Sequence, residues 1–564
     1  MILAKNCAPH FRVILPSNAD AVVSYAAEEL QHWLGQMLGT SVLTSDEART
    51  GDILLRPDPS MAPEHYRYFT ENGCLVITGS GRGLLYGVYA FLEEELGIRF
   101  LEPAVTHVPR RSTLALPELD KSGAPTMEYR EPSLWELRDL AFAARRRVNG
   151  LLRREDIPKY GGGVGYADGY FVHTFTKLLP PEKYFDEHPE YYAEIRGERI
   201  REKTQLCLSH PDVLELVKAR VLEELRAQPE SRLFSVSQDD NYNGCTCEKC
   251  RAFDEEEGSM AGSMIRFVNR VAEAIEPEFP NVVIDTLAYQ YTRKPPKHIR
   301  PRHNVSVRLC SIECCFVHPL RLCRTDDPDA PNIELSQPFA EDLIGWGKVC
   351  QRLYIWDYVT NFSHFWMPHP NIWVLAENVR FFRDNGVKGV FEQGCPATGG
   401  GEMTGLRSYI LSKALWDPDV DEEKLIDEYL AGVYGIAGGC IREYLETVRD
   451  AVDRCGSHLY CFNHPDKPWH TMELVEKCEK IFDRAEKLAS DEQILMRVRK
   501  QRLAVRYLQI LLTPKGSEER SALLDAFEED AKAFGLTMLW ERRDMDFCLK
   551  VLRGQEDPGY WWAG

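Results

Sequence analysis

The chain has 564 residues, more than one hydrophobic core usually serves, and 44% of them are apolar, enough to build two to four domains without outside staples. A formal charge of −19 repels phosphate backbones and anionic lipid, and no basic block reverses it locally, so nucleic acid and membrane surfaces are excluded as partners. Seventeen cysteines, an odd number spread through a large chain, suit a reducing compartment rather than a secreted disulfide framework.

The amino terminus, Met1-Ile-Leu-Ala-Lys-Asn-Cys, runs directly into the strand-like Phe11-Arg-Val-Ile-Leu, without a basic n-region or long apolar h-region. No stretch of about 18 apolar residues is present to span a bilayer. Together these features predict a cytoplasmic protein. Strand and helix then alternate through Phe11–Leu15, an amphipathic run over Ala21–Leu38, Asp52–Leu55 and Gly73–Thr78, which predicts a small α/β domain over residues 1–115. Its last unit, Gly79-Ser-Gly-Arg-Gly, enters a helix. Such a turn can cradle phosphate, but no Lys-Ser or Lys-Thr follows, and closely spaced glycines fit a helix docked tightly on a sheet.

A Pro- and charge-rich link over Glu102–Glu131 leads into short apolar runs that recur between helical patterns. They are Leu233–Ser237, Val282–Ala288, Val305–Leu309, Leu353–Trp356 and Gly389–Phe391, and their alternation with helices predicts a (β/α)8 barrel over residues 116–420. Beyond Trp416-Asp417-Pro418 the periodicity becomes purely helical to about Gly535, predicting an α-helical domain over 421–564. This helical tail could pair with a second copy to make a homo-oligomer.

Polar and aromatic residues follow the apolar runs at once: Asp239, Asp240 and Asn241, then Tyr289, Glu313, Asp357 with Tyr358, and Glu392. Carboxylates just past the carboxyl ends of strands are what the active face of such a barrel presents. Cleaving a glycosidic bond needs one acid for the leaving oxygen and a second group for the cationic sugar carbon. Asp239-Asp240 can supply both, since two adjacent negative charges raise one pKa and leave a proton donor beside an ionised neighbour. The pair also suits helix capping or loop hydrogen bonding. Glu313, Asp357 and Glu392 would ring the same opening, or serve as ion-pair partners. Trp356, in Tyr354-Ile-Trp-Asp-Tyr, could stack on a sugar face, although dense aromatics also fill ordinary cores. His173 could hydrogen-bond a sugar hydroxyl or be a satisfied core histidine.

Cys245-Thr-Cys-Glu-Lys-Cys250 places three thiols, Cys245, Cys247 and Cys250, within six residues. They suit structural zinc if Cys207, Cys310 or a histidine completes four ligands, and otherwise pack the loop as free thiols. No cofactor is expected to be required for catalysis.

A linked set of motifs carries a family resemblance: His173-Thr-Phe-Thr-Lys-Leu-Leu-Pro-Pro-Glu, Gln205-Leu-Cys-Leu-Ser, Ser235-Val-Ser-Gln-Asp-Asp-Asn with the cysteine cluster, Trp356-Asp-Tyr and Glu392-Gln-Gly. In this set the chain resembles glycoside hydrolase family 163. Arg82-Gly-Leu-Leu-Tyr-Gly-Val-Tyr with Leu96-Gly-Ile-Arg-Phe is similar to the accessory domain that precedes the barrel in families 20 and 67. The resemblance implies a β-N-acetylglucosaminidase that retains configuration and acts on N-glycan-derived or other imported oligosaccharides. It further implies attack by the sugar's own 2-acetamido oxygen, with Asp239 orienting that amide, Asp240 protonating the leaving group, and Glu392 or Glu313 as substitutes. Competing readings are an α-glucuronidase-like or other exo-glycosidase, since the accessory domain does not fix the sugar, and a non-catalytic carbohydrate-binding protein.

Overall fold

The structure is a computed structural model that describes residues 1–150, 157–323, 339–557 and 559. Its first unit is a six-stranded sheet. The strands are β1 (Val13–Ile14), β2 (Thr44–Ser45), β3 (Ile53–Pro57), β4 (Tyr66–Glu71), β5 (Cys74–Gly79) and β6 (Asp120–Gly123), in the spatial order β6-β4-β5-β3-β1-β2. Helix α1 (Ala21–Leu38) starts on the side chain of Asp20, which accepts the Val23 N–H at 2.9 Å, and ends on left-handed Gly39. Helix α2 (Arg82–Glu94) is buried along nearly its whole length against the sheet. Its glycines serve that packing: a Cβ on Gly83 would collide with the His65 carbonyl, and one on Gly87 would stand 3.0 Å from Ile77 Cγ2. The close approach of backbones, rather than a phosphate, accounts for the Gly-rich turn.

The second sheet is parallel throughout. Its strands are β7 (Tyr129–Ser133), β8 (Leu233–Ser235), β9 (Val283–Ala288), β10 (Val305–Cys310), β11 (Leu353–Tyr358) and β12 (Val387–Gln393), in the order β7-β12-β11-β10-β9-β8. It forms a half-barrel, and helices such as Ala261–Ile275 and Thr404–Trp416 pack on its outer side. Of the eight-stranded ring expected from the sequence, six strands are paired in this sheet. Between β7 and β8 the chain supplies isolated contacts instead. Asn149 N–H donates to the Arg130 carbonyl at 3.2 Å, Val164 N–H to the Asn149 carbonyl at 2.9 Å, and Tyr166 forms a parallel bridge with Leu233. The local sequence Gly161-Gly-Gly-Val-Gly165 explains the irregularity, because successive glycines lose more entropy on ordering and offer no side chains to pack.

Two elements differ from the sequence-based expectation. The supposed link over Glu102–Glu131 contains β6 and most of β7, whose charged residues and Pro132 mask a strand pattern. The carboxyl-terminal region is helical over Glu422–Tyr434, Gly438–Arg454, Met472–Leu488, Glu492–Leu512 and Glu518–Ala533, but then makes a hairpin, β13 (Met538–Trp540) and β14 (Arg543–Asp544). No helix among the described residues is long and apolar enough to cross a membrane.

A buried ion pair ties the first unit to the half-barrel. Arg130 of β7 is 1% exposed and donates to Glu64 at 2.7 and 3.1 Å, while Arg82 at the start of α2 reaches the same carboxylate at 2.9 Å. Burial pushes the Glu64 carboxyl up, but Arg130 and Arg82 outweigh it and hold it below the usual range. The stability this group contributes is therefore present above the ordinary carboxylate pKa and lost as pH falls through the lower folded value. Replacing Glu64 by Ala strands the Arg130 charge, and should cost about 3–5 kcal/mol in urea unfolding at neutral pH. A loss below about 1 kcal/mol would mean that water reaches Arg130 and the pair is not a clamp.

Candidate active site

Strand alternation decides which side chains can meet at the mouth of the sheet. Parallel register partners share a face, and the set Tyr129, Gly389, Tyr354, Arg308 and Leu287 is followed two residues on by Glu131, Phe391, Trp356, Cys310 and Tyr289. These point inward. Arg308 lies among the rings of Tyr129, Tyr166, Phe171, Trp356 and Phe391, at 5.0 to 6.0 Å from their centroids. The upper end of this face carries Trp356, stacked on Tyr358 at 6.4 Å, and Gln393, whose Oε1 accepts the Trp356 indole N–H at 2.8 Å.

Asp239 and Asp240 sit just past β8, where the chain leaves the sheet. The Tyr289 hydroxyl donates to Asp240 Oδ1 at 3.0 Å, and Asp240 is exposed. Asp239 is half-buried and its Oδ2 accepts the Thr176 N–H at 3.1 Å. Burial pushes the Asp239 carboxyl up, offset in part by Thr176 and by His173. The acid loop is braced from below by Gln205, which accepts the Asp239 N–H at 2.9 Å and donates to the Asp239 carbonyl at 2.8 Å. Gln205 also donates to Asn241 Oδ1 at 3.0 Å, and that same oxygen accepts the Asn243 N–H. Asn241 therefore braces the loop through Oδ1. His173 has a left-handed backbone at φ 54°, and its Nδ1 donates to the Gln238 carbonyl at 2.8 Å, which leaves Nε2 directed elsewhere. Its ring lies 6.2 Å from that of Tyr289.

Glu313 follows β10 and is buried, with Arg293 on Oε2 at 3.4 Å and, among the described residues, no hydrogen-bond partner for Oε1. Burial raises its pKa against the pull of Arg293. Asp357 and Glu392 occupy the alternate positions of β11 and β12, across from each other in register, on the face away from Trp356 and Phe391. The structure thus does not bring these two to the mouth. Ser311 donates to Asp357 at 2.5 Å, whose carboxyl is pushed up to about 6 by burial. Glu392 is 1% exposed, its Oε2 has no hydrogen-bond partner among the described residues, and burial followed by the Asp357 charge drives its pKa well above the usual range.

Two inward or mouth-facing acids escaped the sequence reading. Glu131 of β7 lies near Arg308 and is pushed up to about 8 by burial. Glu541, in the hairpin turn between β13 and β14, accepts from Gln393 at 3.3 Å, and its pKa is raised by burial and by the charge of Asp240. Glu131 lay in a stretch read as a link, and Glu541 in a tail read as helix. Only the alternation of Tyr129 and Glu131 offered a local hint for the first, and nothing local marked the second.

The cysteine cluster gains its fourth member from Cys207 of the Gln205-Leu-Cys motif. The Sγ atoms of Cys207, Cys245, Cys247 and Cys250 lie within 4.8 Å of one another, and all four residues are buried. Glu194 N–H and Arg199 donate to Cys245 Sγ at 3.4 and 3.7 Å. A separate cavity of about 630 Å³ is lined by Glu93, Arg146, Lys413 and Trp416 near the start of β7, but its charges pair with one another, Glu93 with Lys413 at 3.0 Å and with Arg146 at 3.3 Å.

The Asp357–Glu392 pair generates a pH prediction. Both folded pKa values are raised, so the native state holds protons that the unfolded chain releases, and this stabilisation is complete below the ordinary carboxylate range and lost as pH rises through the folded values. Glu392→Gln should leave the urea midpoint unchanged at pH 4 and raise it at pH 8. A lower midpoint at pH 8 would show that an ionised Glu392 is stabilised by a partner.

Residues 100–446 match the family described as a domain of unknown function, DUF4838. No curated protein matches the sequence. Among solved structures, the chain is similar to a family 115 4-O-methyl-α-glucuronidase with specificity for decorated arabinogalactans, at TM-score 0.59 and 12% identity, over 99% of this chain and 80% of that one. It is also similar to a family 89 protein from Clostridium perfringens in complex with its substrate GlcNAc-α-1,4-galactose, at TM-score 0.50 and 10% identity, over 92% of this chain and 65% of that one. At such identities the likeness is one of fold. With more than half of its length matched, the chain belongs to the DUF4838 family.

Proposed function

We propose that this protein is a glycoside hydrolase acting on β-N-acetylglucosaminides, and that the sheet and the bridging contacts of Asn149 and Tyr166 together make an eight-position barrel. Residues 1–115 and 421–564 would flank it as accessory and helical domains. The observation that carries the reading is the adjacent acid pair just past β8, with Asp240 on the Tyr289 hydroxyl and Trp356 packed against the cluster that holds Tyr289. The fold shared with two carbohydrate-active proteins supports the broader class.

In this reading Thr176 holds the Asp239 carboxylate in place, its N–H on Oδ2, and that carboxylate accepts the N–H of a 2-acetamido group. The amide oxygen then attacks the anomeric carbon, the glycosidic bond breaks, and Asp240 gives its proton to the departing oxygen. Water then attacks the anomeric carbon from the face the leaving group left, opposite the oxazolinium C–O bond that breaks, and gives a proton to Asp240, so configuration is retained. Because the orienting group must be ionised and burial raises Asp239, turnover should climb with pH through a raised acid limb. Trp356 would floor the sugar, with His173 Nε2 close to its hydroxyls.

A second reading rests on Glu541. Its carboxyl is pushed up by burial and by the charge of Asp240, which puts two carboxyl groups from different elements within electrostatic reach of each other, as a two-carboxylate glycosidase of another sugar specificity requires.

Turnover of aryl N-acetyl-β-glucosaminides, and competitive inhibition by an N-acetylglucosamine thiazoline, test the first reading. Asp239→Asn and Asp240→Asn should each lower turnover on an oligosaccharide by on the order of 10² to 10⁴. The acid variant should lose far less on aryl glycosides with good leaving groups. Aryl α-glucuronide cleavage without thiazoline inhibition, and dependence on Glu541, would transfer the assignment to the second reading. Near-normal turnover of Asp240→Asn with an inactive Glu392→Gln would overturn both.

We also propose that Cys207, Cys245, Cys247 and Cys250 hold a structural zinc ion that stiffens the loop after the acid pair. Four buried thiols in mutual reach are the donor set such an ion takes. Cys250→Ser should release about one zinc per chain and lower the melting temperature. Metal content below about 0.2 zinc per chain in the purified protein removes this assignment, since structural sites bind tightly enough to survive purification.

A further inference from the structure

A second group of metal-ligating side chains lies outside the sites described above. Cys315, His318 and Cys323 come from the segment after β10, and His458 from the loop that follows the helix Gly438–Arg454. Their ligand atoms all lie within 4.8 Å of one another. Cys315 Sγ stands 3.4 Å from His318 Nδ1, and Cys323 Sγ stands 3.5 Å from His458 Nδ1. The two imidazoles are 4.9 Å apart and inclined at 71°.

The two sulfur-to-nitrogen separations, 3.4 and 3.5 Å, are those of neighbouring ligands in a coordination shell. Metal-to-ligand bonds of about 2.0–2.3 Å place tetrahedral ligand atoms roughly 3.3–3.8 Å apart. Ordinary packing explains the arrangement less well, because a thiol or an imidazole satisfied by one hydrogen bond has no need of three further soft donors. The spacing Cys315-x₂-His318-x₄-Cys323 puts three donors on one short segment, and the fourth is 135 residues away from Cys323 on a different part of the fold. The backbones are already held together beside the cluster: Phe316 N–H donates to the Leu459 carbonyl at 2.8 Å, and Cys461 Sγ to the Ile312 carbonyl at 3.5 Å. Cys315 is buried while the other three are partly exposed, which encloses the group and leaves a path for an ion to enter.

We infer that Cys315, His318, Cys323 and His458 form a tetrahedral Cys₂His₂ site for zinc, which cross-links the loop bearing Glu313 to the carboxyl-terminal helical region. Two thiolates and two neutral imidazoles leave no open position, so the ion is structural and takes no part in bond cleavage. Its effect is to close a long loop in the chain, and that constraint acts on the unfolded state as well as on the position of Glu313.

Metal analysis of the full-length protein, purified without added metal after expression in zinc-supplemented medium, tests the site independently of the four-cysteine cluster. His458→Ala and Cys315→Ser should each contain about one zinc per chain less than the wild type, and Cys250→Ser should not change that difference. Zinc K-edge absorption of the wild type gives a reading that needs no variant: histidine scattering is expected beside sulfur. A shell of sulfur alone, a Cys315–Cys323 disulfide found by peptide mapping, or equal zinc content in wild type and His458→Ala overturns the proposal.

Discussion

The two-residue period of the parallel strands is the constraint on which the rest of this structure depends. Arg308 fixes its phase. Its guanidinium is fully buried and ringed by five aromatic side chains, with the Asp285 carboxylate 3.7 Å from its Nε, so the strand that carries it cannot shift by one residue without moving a charge into the apolar layer beneath the helices. Every neighbour in register inherits that phase. Trp356 and Phe391 consequently face the interior, and Asp357 and Glu392 face away from it, although each acid is only one residue from its aromatic neighbour.

The mouth above this layer is assembled from parts with different mechanical origins. Tyr289, Trp356 and Gln393 are borne by or directly follow strands, and move only with the sheet. Asp239 and Asp240 lie on a loop, which gains its rigidity from Gln205 on both the N–H and the carbonyl of Asp239 and from Gln238, whose amide donates to the Tyr289 carbonyl at 2.9 Å. Glu541 is carried by a hairpin of the carboxyl-terminal region and is docked by its own N–H on the Phe362 carbonyl at 2.9 Å. A side chain delivered from so far along the chain makes the helical region part of the candidate site instead of an appendage to it.

Burial, more than neighbouring charge, sets the ionisation pattern. It is the largest influence on Asp239, Glu131, Glu313, Glu392 and Glu541, and all five move upward. Raised carboxyls therefore occur both at the mouth and away from it. Position separates the two classes: Asp239 and Glu541 lie at the mouth, whereas Glu392 lies on the other face of the sheet, across from Asp357. A raised pKa is evidence of enclosure first and of chemistry only when the geometry agrees.

The sequence by itself determined the elements whose signal is local. Helix Ala21–Leu38, the strand runs from Leu233 to Phe391, the switch to helical periodicity near Glu422 and the acid pair just past a strand could all be read from hydrophobic period and position. Only the tertiary structure decided what depends on contacts between distant segments. Strand phase turned Asp357 and Glu392 away from the mouth, Cys207 joined Cys245, Cys247 and Cys250, His458 met Cys315, and Glu541 was brought to Gln393 across 148 residues of chain. The physical reason is the same in each case. A hydrophobic period states that a residue is buried on one face of its own element, but which donors share that face is fixed by sheet register and by the docking of elements that the local sequence does not encode.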